Sequence, residues 1–534
     1  MFHQLLTPVG GSLLCSFLVA ASPIFVVLFF LGALRRPAWQ ACLAGLLVGF
    51  IVAIGPWHFP YKLAVNAFGS GAAFALWPVM WIVFNALLLY NISVRSGRFE
   101  AFKNWIIKSL PGDRRIILVV VGFSFSALLE GIAGFGTPVA IASALLIMVG
   151  FPALDAVVFT LIFNTTPVGY AALGTPVTVL SAVTHLPPHL LAAMVGRQLP
   201  ILSLLLPFYV IAVYGGIRSI RAVWPALLIA GGSFALTQFL CSNFLDYALT
   251  DVLSSLSSII FTLILMKCWS PAHDSRFQIA DWHVRRESAL GTTVWKAWSP
   301  WIIVSVTVTV WTMMNVSKLG EHQIRWPGLH NAISITLYKD LPYAAIWDVM
   351  PLGTGTAILF AAIITCFVTR MPIIGILHCI LETWKQIRLA VVSVVLIVGL
   401  AYLMNYSGLT YTIGLGAASA GRLFVLLSPF LGWIAVLLSG SDTSGNALFG
   451  NLQVVAANQL KLSPILMAAT NSSGGVMGKM VSPQNLTTGT SVNQLKGQEG
   501  MVFARTFLHS ILLTALMGII VAIQQYLIPW IIPH

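Results

Sequence analysis

Residues 116–151 read IILVVVGFSFSALL, EGIAGFGTP, then VAIASALLIMVGF: two apolar runs separated by a carboxylate, three glycines and a proline. The interval is too long for one straight membrane span of about 20 residues. Gly and Pro free backbone groups that lipid cannot satisfy, so such an interruption persists only inside protein or beside water. We therefore expect a helix that breaks at GFGTP, or a re-entrant hairpin there.

The rest of the chain is equally apolar. Of its 534 residues, 58% are hydrophobic and 8% charged, and the mean hydropathy is +0.91. A soluble surface needs far more charge than this. The pattern predicts an all-α polytopic integral membrane protein with about 12–14 transmembrane segments. It excludes a β-barrel, because the runs are continuously apolar rather than alternating. Runs near or above the spanning length lie at 11–33, 38–55, 222–240, 252–266, 390–404 and 510–532.

The net charge of +13 is concentrated in alternate loops, which argues against a nucleic-acid partner. The connection at 56–71 holds only Lys62, and 241–246 holds no base. Alternation of basic and base-poor loops follows the positive-inside rule and predicts an N-terminus outside the cell. The basic loops contain Arg35, Arg36, Arg95, Arg98, Lys103, Lys108, Arg114, Arg115, Arg218, Arg221, Arg276, Arg285, Arg286, Arg370, Lys385 and Arg388.

The widest polar interval, 270–298, lies near the middle of the chain. It is short for a domain and predicts a cytoplasmic connector between a first membrane half, 1–269, and a second, 299–534.

Each half contains a pair of polar clusters. The first half has 130–138 and 164–176, and the second has 439–451 and 471–485. In each pair an acid stands in a cluster of small residues, and an apolar segment then leads to Asn followed by two hydroxyl residues. Paired interruptions at corresponding positions of two halves indicate a transporter binding site.

Glu130 and Asp442 are the proton-coupling candidates. A charge near mid-membrane costs on the order of 2.5–3.5 kcal/mol, so an acid retained there indicates a function or a partner. A static salt bridge with Lys479 or Arg422 is the alternative. Lys479 itself is a candidate for the substrate carboxylate or for Asp442, with a snorkelling lysine as the competing interpretation. Arg197 is a weaker candidate, because it also fits a loop anchor.

Half-helices that begin at these clusters would direct free N–H groups and a positive dipole end at the gap, which suits a carboxylate. For any single cluster the alternative is that its small residues serve only to let two helices pack closely, without binding a substrate. Four clusters, two with acids, favour a site. Besides Lys479, the substrate-binding candidates are Gly134, Gly136, Thr137, Asn164, Thr165, Thr166, Ser441, Thr443, Ser444, Asn446, Asn471, Ser472 and Ser473.

Eight ordered motifs lie along the chain: LLEGIAGFGTPVAI (128–141), FNTTPVGYAALGTP (163–176), VGRQLP (195–200), GGSFALTQFLCSNF (231–244), GTGTAILFAA (353–362), LMNYSGLT (403–410), FLGWIAVLLSGSDTSGNALF (430–449) and NSSGGVMGKMVSPQ (471–484). They closely resemble the L-lactate permease family, and the resemblance covers nearly the whole chain. The family implies a proton-coupled secondary transporter of L-lactate, glycolate and related short 2-hydroxy monocarboxylates in the bacterial cytoplasmic membrane. It also implies two inverted repeats with broken helices or re-entrant hairpins. Gly445 stands where the resemblance implies a Ser.

Several functions compete. Sodium coupling also suits an Asp beside hydroxyl residues and unwound carbonyls, and a passive channel would need no coupling ion. An intramembrane enzyme is disfavoured because the chain lacks HExxH, a metal-spaced His cluster and GxSxG. We expect no cofactor beyond protons, no metal, and as partners a small monocarboxylate and the lipid bilayer. The oligomeric state stays open.

Overall fold

A computed structural model describes residues 1–34, 36–132, 134, 137–279, 282, 294–492, 495 and 497–534 of the chain. The described residues are mostly helical. The α-helices of the first half are α1 (Leu13–Gly32), α2 (Ala38–Ile54), α3 (Tyr61–Phe74), α4 (Trp81–Arg95), α5 (Arg98–Ser109), α6 (Arg114–Ile117), α7 (Ser126–Ile132), α8 (Thr137–Met148), α9 (Ala153–Phe163), α10 (Ala171–Thr184), α11 (Pro188–Val195), α12 (Leu199–Phe244) and α13 (Thr250–Cys268).

The second half continues with α14 (Val294–Met313), α15 (Thr354–Thr369), α16 (Ile373–Ser407), α17 (Leu409–Ala418), α18 (Phe424–Ser439), α19 (Asp442–Gln459), α20 (Pro464–Gly478), α21 (Pro483–Val492) and α22 (Glu499–Tyr526). Two π-helical segments lie at Ala75–Met80 and Leu118–Phe125. Short 3₁₀ turns lie at Thr166–Tyr170, Tyr247–Leu249, Val316–Lys318, Thr336–Tyr338, Gly421–Leu423, Lys479–Val481 and Pro529–Ile531. The strands are β1 (Phe2–His3), β2 (His322–Arg325), β3 (Ile333–Ile335), β4 (Leu341–Pro342) and β5 (Ile346–Val349).

Within the described ranges, nine helical stretches are long and apolar enough to cross a membrane. The prediction of an all-α polytopic membrane protein is therefore confirmed, whereas the count of twelve to fourteen spans stays a prediction. The nine are Leu13–Leu31, Tyr61–Arg95, Arg114–Ile132, Thr166–Thr184, Pro188–Phe244, Tyr247–Cys268, Ile373–Ser407, Gly421–Ser439 and Glu499–Tyr526. Shorter apolar helices are Ala38–Ile54, Pro138–Met148, Ala153–Phe163, Thr354–Thr369 and Leu409–Ala418.

The longest helix, α12, contains two antiparallel arms. Its backbone turns at Gly216, where φ is 76° and ψ is 174°, a conformation that glycine adopts without steric cost. Ser203 Oγ then donates to Gln238 Oε1 at 2.7 Å across the two arms. The basic residues Arg218 and Arg221 lie at this turn, as a loop between two spans requires.

The described residues on either side of the interruption at 130–138 form a helical hairpin. One arm contains α6, the π-helical segment Leu118–Phe125 and α7, and the other arm is α8. The arms fold back on each other, because Leu145 and Val149 line one small cavity together with Ile117 and Val121. The arm from Arg114 to Ile132 is buried inside the protein along its length. We name residues 114–148 the first hairpin.

The second half contains a matching element, the second hairpin, formed by α18 and α19 around a tip at Gly440 and Ser441. Ser428 Oγ donates to Gln453 Oε1 at 2.8 Å, and Gln453 Nε2 donates back to the carbonyl of Ser428 at 3.0 Å. These bonds join the two arms far from the tip. Each hairpin is followed along the chain by an interrupted helix: the first broken helix, 153–184, and the second broken helix, 464–492.

The two broken helices begin at opposite ends of α22. Arg505, near the start of α22, donates to Asp155 at 2.8 Å at the beginning of the first broken helix. Gln525, at the far end of α22, accepts from the N–H of Ser463 at 3.3 Å, directly before the second broken helix. The two therefore run in opposite directions. Inverted repeats require this arrangement, although the repeat relation itself stays a prediction.

Short strands cover the end of the bundle opposite to Arg505. β1 pairs in parallel with β3, β3 pairs with β4, and β2 pairs with β5. His185, at the end of the first broken helix, bonds Tyr343 beside these strands at 3.0 Å. The N-terminus therefore lies on the face opposite to the start of the first broken helix.

The described part of the predicted connector packs against the start of the first hairpin. The carbonyl of Phe277 accepts from the N–H of Arg114 at 2.8 Å, and the N–H of Ile279 donates to Gly112 at 2.9 Å. Residues 280–281 and 283–293 of the connector lie outside the described residues. The division into two membrane halves stays a prediction.

Glycines let α18 and α20 pack backbone against backbone. A Cβ added to Gly478 would lie 2.7 Å from the backbone nitrogen of Leu437, with Trp433 also in the way. We expect Gly478→Ala to lower the free energy of unfolding by about 1–3 kcal/mol, the usual cost of overpacking. The measurement is thermal unfolding of the purified protein in detergent. Gly500→Ala is the control, because nothing lies within 4 Å of its added Cβ. Equal midpoints for the two variants would contradict the expectation.

Candidate functional site

The four interruptions meet at one small cavity of about 30 Å³. Each predicted cluster contributes to its wall, although the clusters are far apart in the sequence. The lining residues are Glu130 and Gly134 from the first hairpin; Val168, Ala171, Ala172, Thr175 and Pro176 from the first broken helix; Gly440, Ser441, Asp442 and Thr443 from the second hairpin; and Lys479 from the second broken helix.

The first half opens its backbone at two places. Helix α7 ends at Ile132, Gly134 has φ of +52°, and α8 begins at Thr137. Gly136 lies outside the described residues. In the first broken helix, Ala172 and Leu173 have φ of 44° and 56°. A bulky non-glycine residue in this left-handed region is strained, and strain of this kind concentrates at functional sites.

The second half opens its backbone at the hairpin tip and at the 3₁₀ turn of the second broken helix. Gly440 has φ of +73°, and Ser441 caps α19 by accepting from the N–H of Ser444 at 3.4 Å. Asp442 is the first residue of α19, where the positive end of the helix dipole favours negative charge. The tip of the second hairpin therefore presents a helix N-terminus to the cavity.

Lys479 and Glu130 form an ion pair that joins the two halves of the chain. Both side chains are buried, and Glu130 Oε2 has no hydrogen-bond partner among the residues that the structure describes. Lys479 therefore pairs with Glu130, not with Asp442. A buried ion pair of this kind holds only while both partners are present, because removing one leaves an uncompensated charge.

Asp442 is held by polar side chains instead. Its Oδ2 accepts from Ser472 Oγ at 2.5 Å and from Asn446 Nδ2 at 3.3 Å. Asn446 also donates to the carbonyl of Pro176 at 3.2 Å and accepts from Asn471 Nδ2 at 2.9 Å. Asp442 Oδ1 receives no hydrogen bond from the described part of the chain. The network links the second hairpin to both broken helices.

Other predicted residues lie around the cavity rather than on its wall. Ser473 donates to Gln198 at 2.5 Å, Asn164 donates to Ser126 at 3.4 Å, and Thr165 bonds within its own helix. Thr166 Oγ1 is buried, with no partner among the described residues. Ser444 lines a second, larger cavity.

The second cavity, of about 550 Å³, also borders the tip of the second hairpin. Arg36, Trp39, Gln484 and Ser444 are among its lining residues, and Ser441 lines both cavities. We name it the vestibule.

The two weaker arginine candidates lie away from the cavity. Arg197 donates to Asn243 at 2.9 Å and to the carbonyl of Ile531, which fits the loop-anchor interpretation. Arg422 is exposed in a 3₁₀ turn.

Sequence reasoning missed a further buried acid, Asp251, the second residue of α13. It is fully buried and lies against Gly131, next to Glu130. The sequence feature that could have revealed it is the position of an acid directly before the apolar run at 252–266.

The whole chain matches a known family. A family model described as L-lactate permease matches residues 16–528. The chain is 37% identical to the L-lactate permease of Bacillus subtilis, with 99% of each chain covered. It is 38% identical to the glycolate permease GlcA of Escherichia coli, with 98% of each covered.

A solved structure shares the fold. The antimetabolite efflux pump MtrF of Neisseria gonorrhoeae aligns with a TM-score of 0.52 over 94% of this chain and 97% of that chain. The sequence identity is 11%, so the similarity concerns the fold alone. The family match and the full-length relatives carry the assignment: the chain belongs to the L-lactate permease family.

Proposed function

We propose that this protein imports L-lactate, and glycolate or related short 2-hydroxy monocarboxylates, together with a proton across the bacterial cytoplasmic membrane. The observation that carries the proposal is the Lys479–Glu130 ion pair at the buried cavity where all four interruptions meet. Relatives named L-lactate permease and glycolate permease support the substrate class. Their family membership also favours a transporter over an enzyme.

Lys479 provides the positive charge for the substrate carboxylate. It is the one cation among the described residues that line the cavity. The hydroxyl groups of Thr175 and Thr443 lie 3.5 Å apart on the same wall, and both can bond a 2-hydroxyl group. The N-terminus of α19 adds a positive dipole end. A small 2-hydroxy acid therefore finds a partner for each of its polar groups.

Proton coupling follows from competition for Lys479. While Glu130 is charged, it occupies the ammonium group that the substrate needs. A proton on Glu130 removes the negative charge and frees Lys479 for the substrate carboxylate. Proton and anion then enter together, so the net charge of the site around Glu130 and Lys479 does not change. This avoids the cost of an uncompensated charge away from water.

Alternating access would use the tip of the second hairpin as the barrier. The vestibule reaches Arg36, in a basic loop that the positive-inside rule places in the cytoplasm. Movement of Ser441 and its neighbours would open the site to that side. The N-terminus would then lie outside, on the face covered by the short strands.

The test is uptake of labelled L-lactate into proteoliposomes with and without an inward proton gradient. We expect accumulation that approaches about tenfold under a gradient of one pH unit, which is the upper limit set by one proton per lactate. Replacing sodium with choline should change nothing. Accumulation that requires sodium, or none under either gradient, would overturn the proposal. Competition by glycolate, pyruvate and a dicarboxylate then defines the substrate range.

A further inference from the structure

Asp251 is a buried acid that the coupling scheme above does not use. Its exposed fraction is 0%. Neither of its carboxylate oxygens has a hydrogen-bond partner among the described residues. The two acids that line the cavity both have partners: Glu130 pairs with Lys479, and Asp442 accepts hydrogen bonds from Ser472 and Asn446.

Asp251 lies against the first hairpin, next to the backbone of Gly131. A Cβ added to Gly131, the residue after Glu130, would lie 2.6 Å from Asp251 Cβ and 3.3 Å from the nitrogen of Val252. Helix α13 therefore packs tightly onto α7 at this point. Asp251 also interacts electrostatically with Glu130 and with Lys479.

The charges around Asp251 leave it without a counter-charge. Tyr170 also interacts with Asp251, and a tyrosine side chain is ordinarily neutral near pH 7. Lys479 is the base that interacts with Asp251 among the described residues, and it is already paired with Glu130. A charged Asp251 would therefore be an unpaired buried anion, which proteins avoid.

We propose that Asp251 holds a proton in this conformation and is a second proton-binding residue of the symport. This inference rests on the proposed function. In the coupling step the O–H bond on Asp251 breaks, and one forms on Glu130 Oε2, the oxygen without a partner. Glu130 becomes neutral and releases Lys479 to the substrate, and the Asp251 carboxylate takes up a proton from the aqueous side. One proton is gained for each substrate bound.

The test is Asp251→Asn in proteoliposomes, because Asn has the same size and imitates the protonated acid. Two readouts are compared: accumulation driven by a proton gradient, and lactate counterflow, which needs no net proton movement. We expect accumulation to fall by up to about tenfold, to the equilibrium level that a protein without proton coupling reaches, while counterflow persists. Asp246→Asn is the matched control, because Asp246 bonds Thr312 and the N–H of Ala248 outside the cluster.

The outcomes separate this inference from the proposed function. If the unaltered protein fails to accumulate lactate, the proposed function is wrong. If it accumulates lactate and Asp251→Asn accumulates it equally well, Asp251 carries no coupling proton. Loss of both accumulation and counterflow in a folded variant would also overturn the inference, because a purely structural residue gives that result.

A second measurement does not depend on the variant. Infrared spectra of the unaltered protein, with aspartate labelled by ¹³C at the side-chain carboxyl, should show a protonated-carboxyl band at neutral pH that shifts with the label. The absence of any shifted band would overturn the proposal, whether or not Asp251→Asn folds.

Discussion

Lys479→Met is expected to lose lactate uptake almost completely. Hydrogen bonds to charged groups contribute about 1.5–3 kcal/mol each, so loss of the ammonium group should weaken substrate binding about tenfold to hundredfold. The measurement is the concentration dependence of lactate counterflow in proteoliposomes. Lys461→Met is the matched control, because Lys461 is an exposed lysine in the loop before α20. Unchanged affinity in Lys479→Met would contradict the role of this residue.

The same substitution affects stability in a way that identifies the ion pair. Lys479→Met leaves Glu130 as a buried charge without its partner, which costs about 3–5 kcal/mol in comparable pairs. Adding Glu130→Gln removes that charge. The double variant should therefore recover stability without recovering lactate binding. A double variant that stays as unstable as Lys479→Met would show that the pair does not account for the loss.

Glu130→Gln is expected to separate substrate binding from the proton. In the unaltered protein a proton must neutralise Glu130 before Lys479 is free, so lactate affinity should fall as pH rises, by up to about tenfold per pH unit. Gln cannot hold the negative charge, so the variant should bind lactate with an affinity that does not change with pH. It should also fail to accumulate lactate under a proton gradient.

The measurement for Glu130→Gln is lactate affinity across a pH series, combined with gradient-driven uptake. Glu100→Gln is the matched control, since Glu100 is exposed and pairs with Lys103 at the protein surface. A Glu130→Gln protein that still concentrates lactate would exclude Glu130 as a carrier of the coupling proton.

The sequence predicted the interruptions because their causes are local. Gly134 and Gly440 adopt positive φ at the two hairpin tips, and Ser441 caps the helix that follows. Residue types with these preferences are visible in the sequence without any tertiary information. The choice between a broken helix and a re-entrant hairpin was not visible, because it depends on whether the two arms touch.

The partners of the charged residues were not predictable from the sequence. Glu130 and Lys479 are 349 positions apart, so their pairing depends on the packing of one half against the other. Asp251 was missed because it stands at the start of a long apolar helix, where an acid is ordinarily a surface residue. Its burial results from its contact with Gly131, in another part of the chain.

Gly445 shows how tertiary packing sets a residue type inside the site. The family resemblance implies a Ser at this position. A Cβ here would lie 2.7 Å from Val436 Cγ2, on the other arm of the second hairpin. Glycine therefore matches the close approach of the two arms next to Asp442, and any side chain at 445 would require Val436 to move.

Proton and substrate bind together because the carboxylates of Glu130 and of the substrate compete for Lys479. Proton uptake is measured as lactate binds to the purified protein in weakly buffered detergent solution near neutral pH. We expect uptake of about one proton per lactate bound, and none in Glu130→Gln, by the linkage of proton and ligand binding. Lactate binding without proton uptake in the unaltered protein would contradict this expectation.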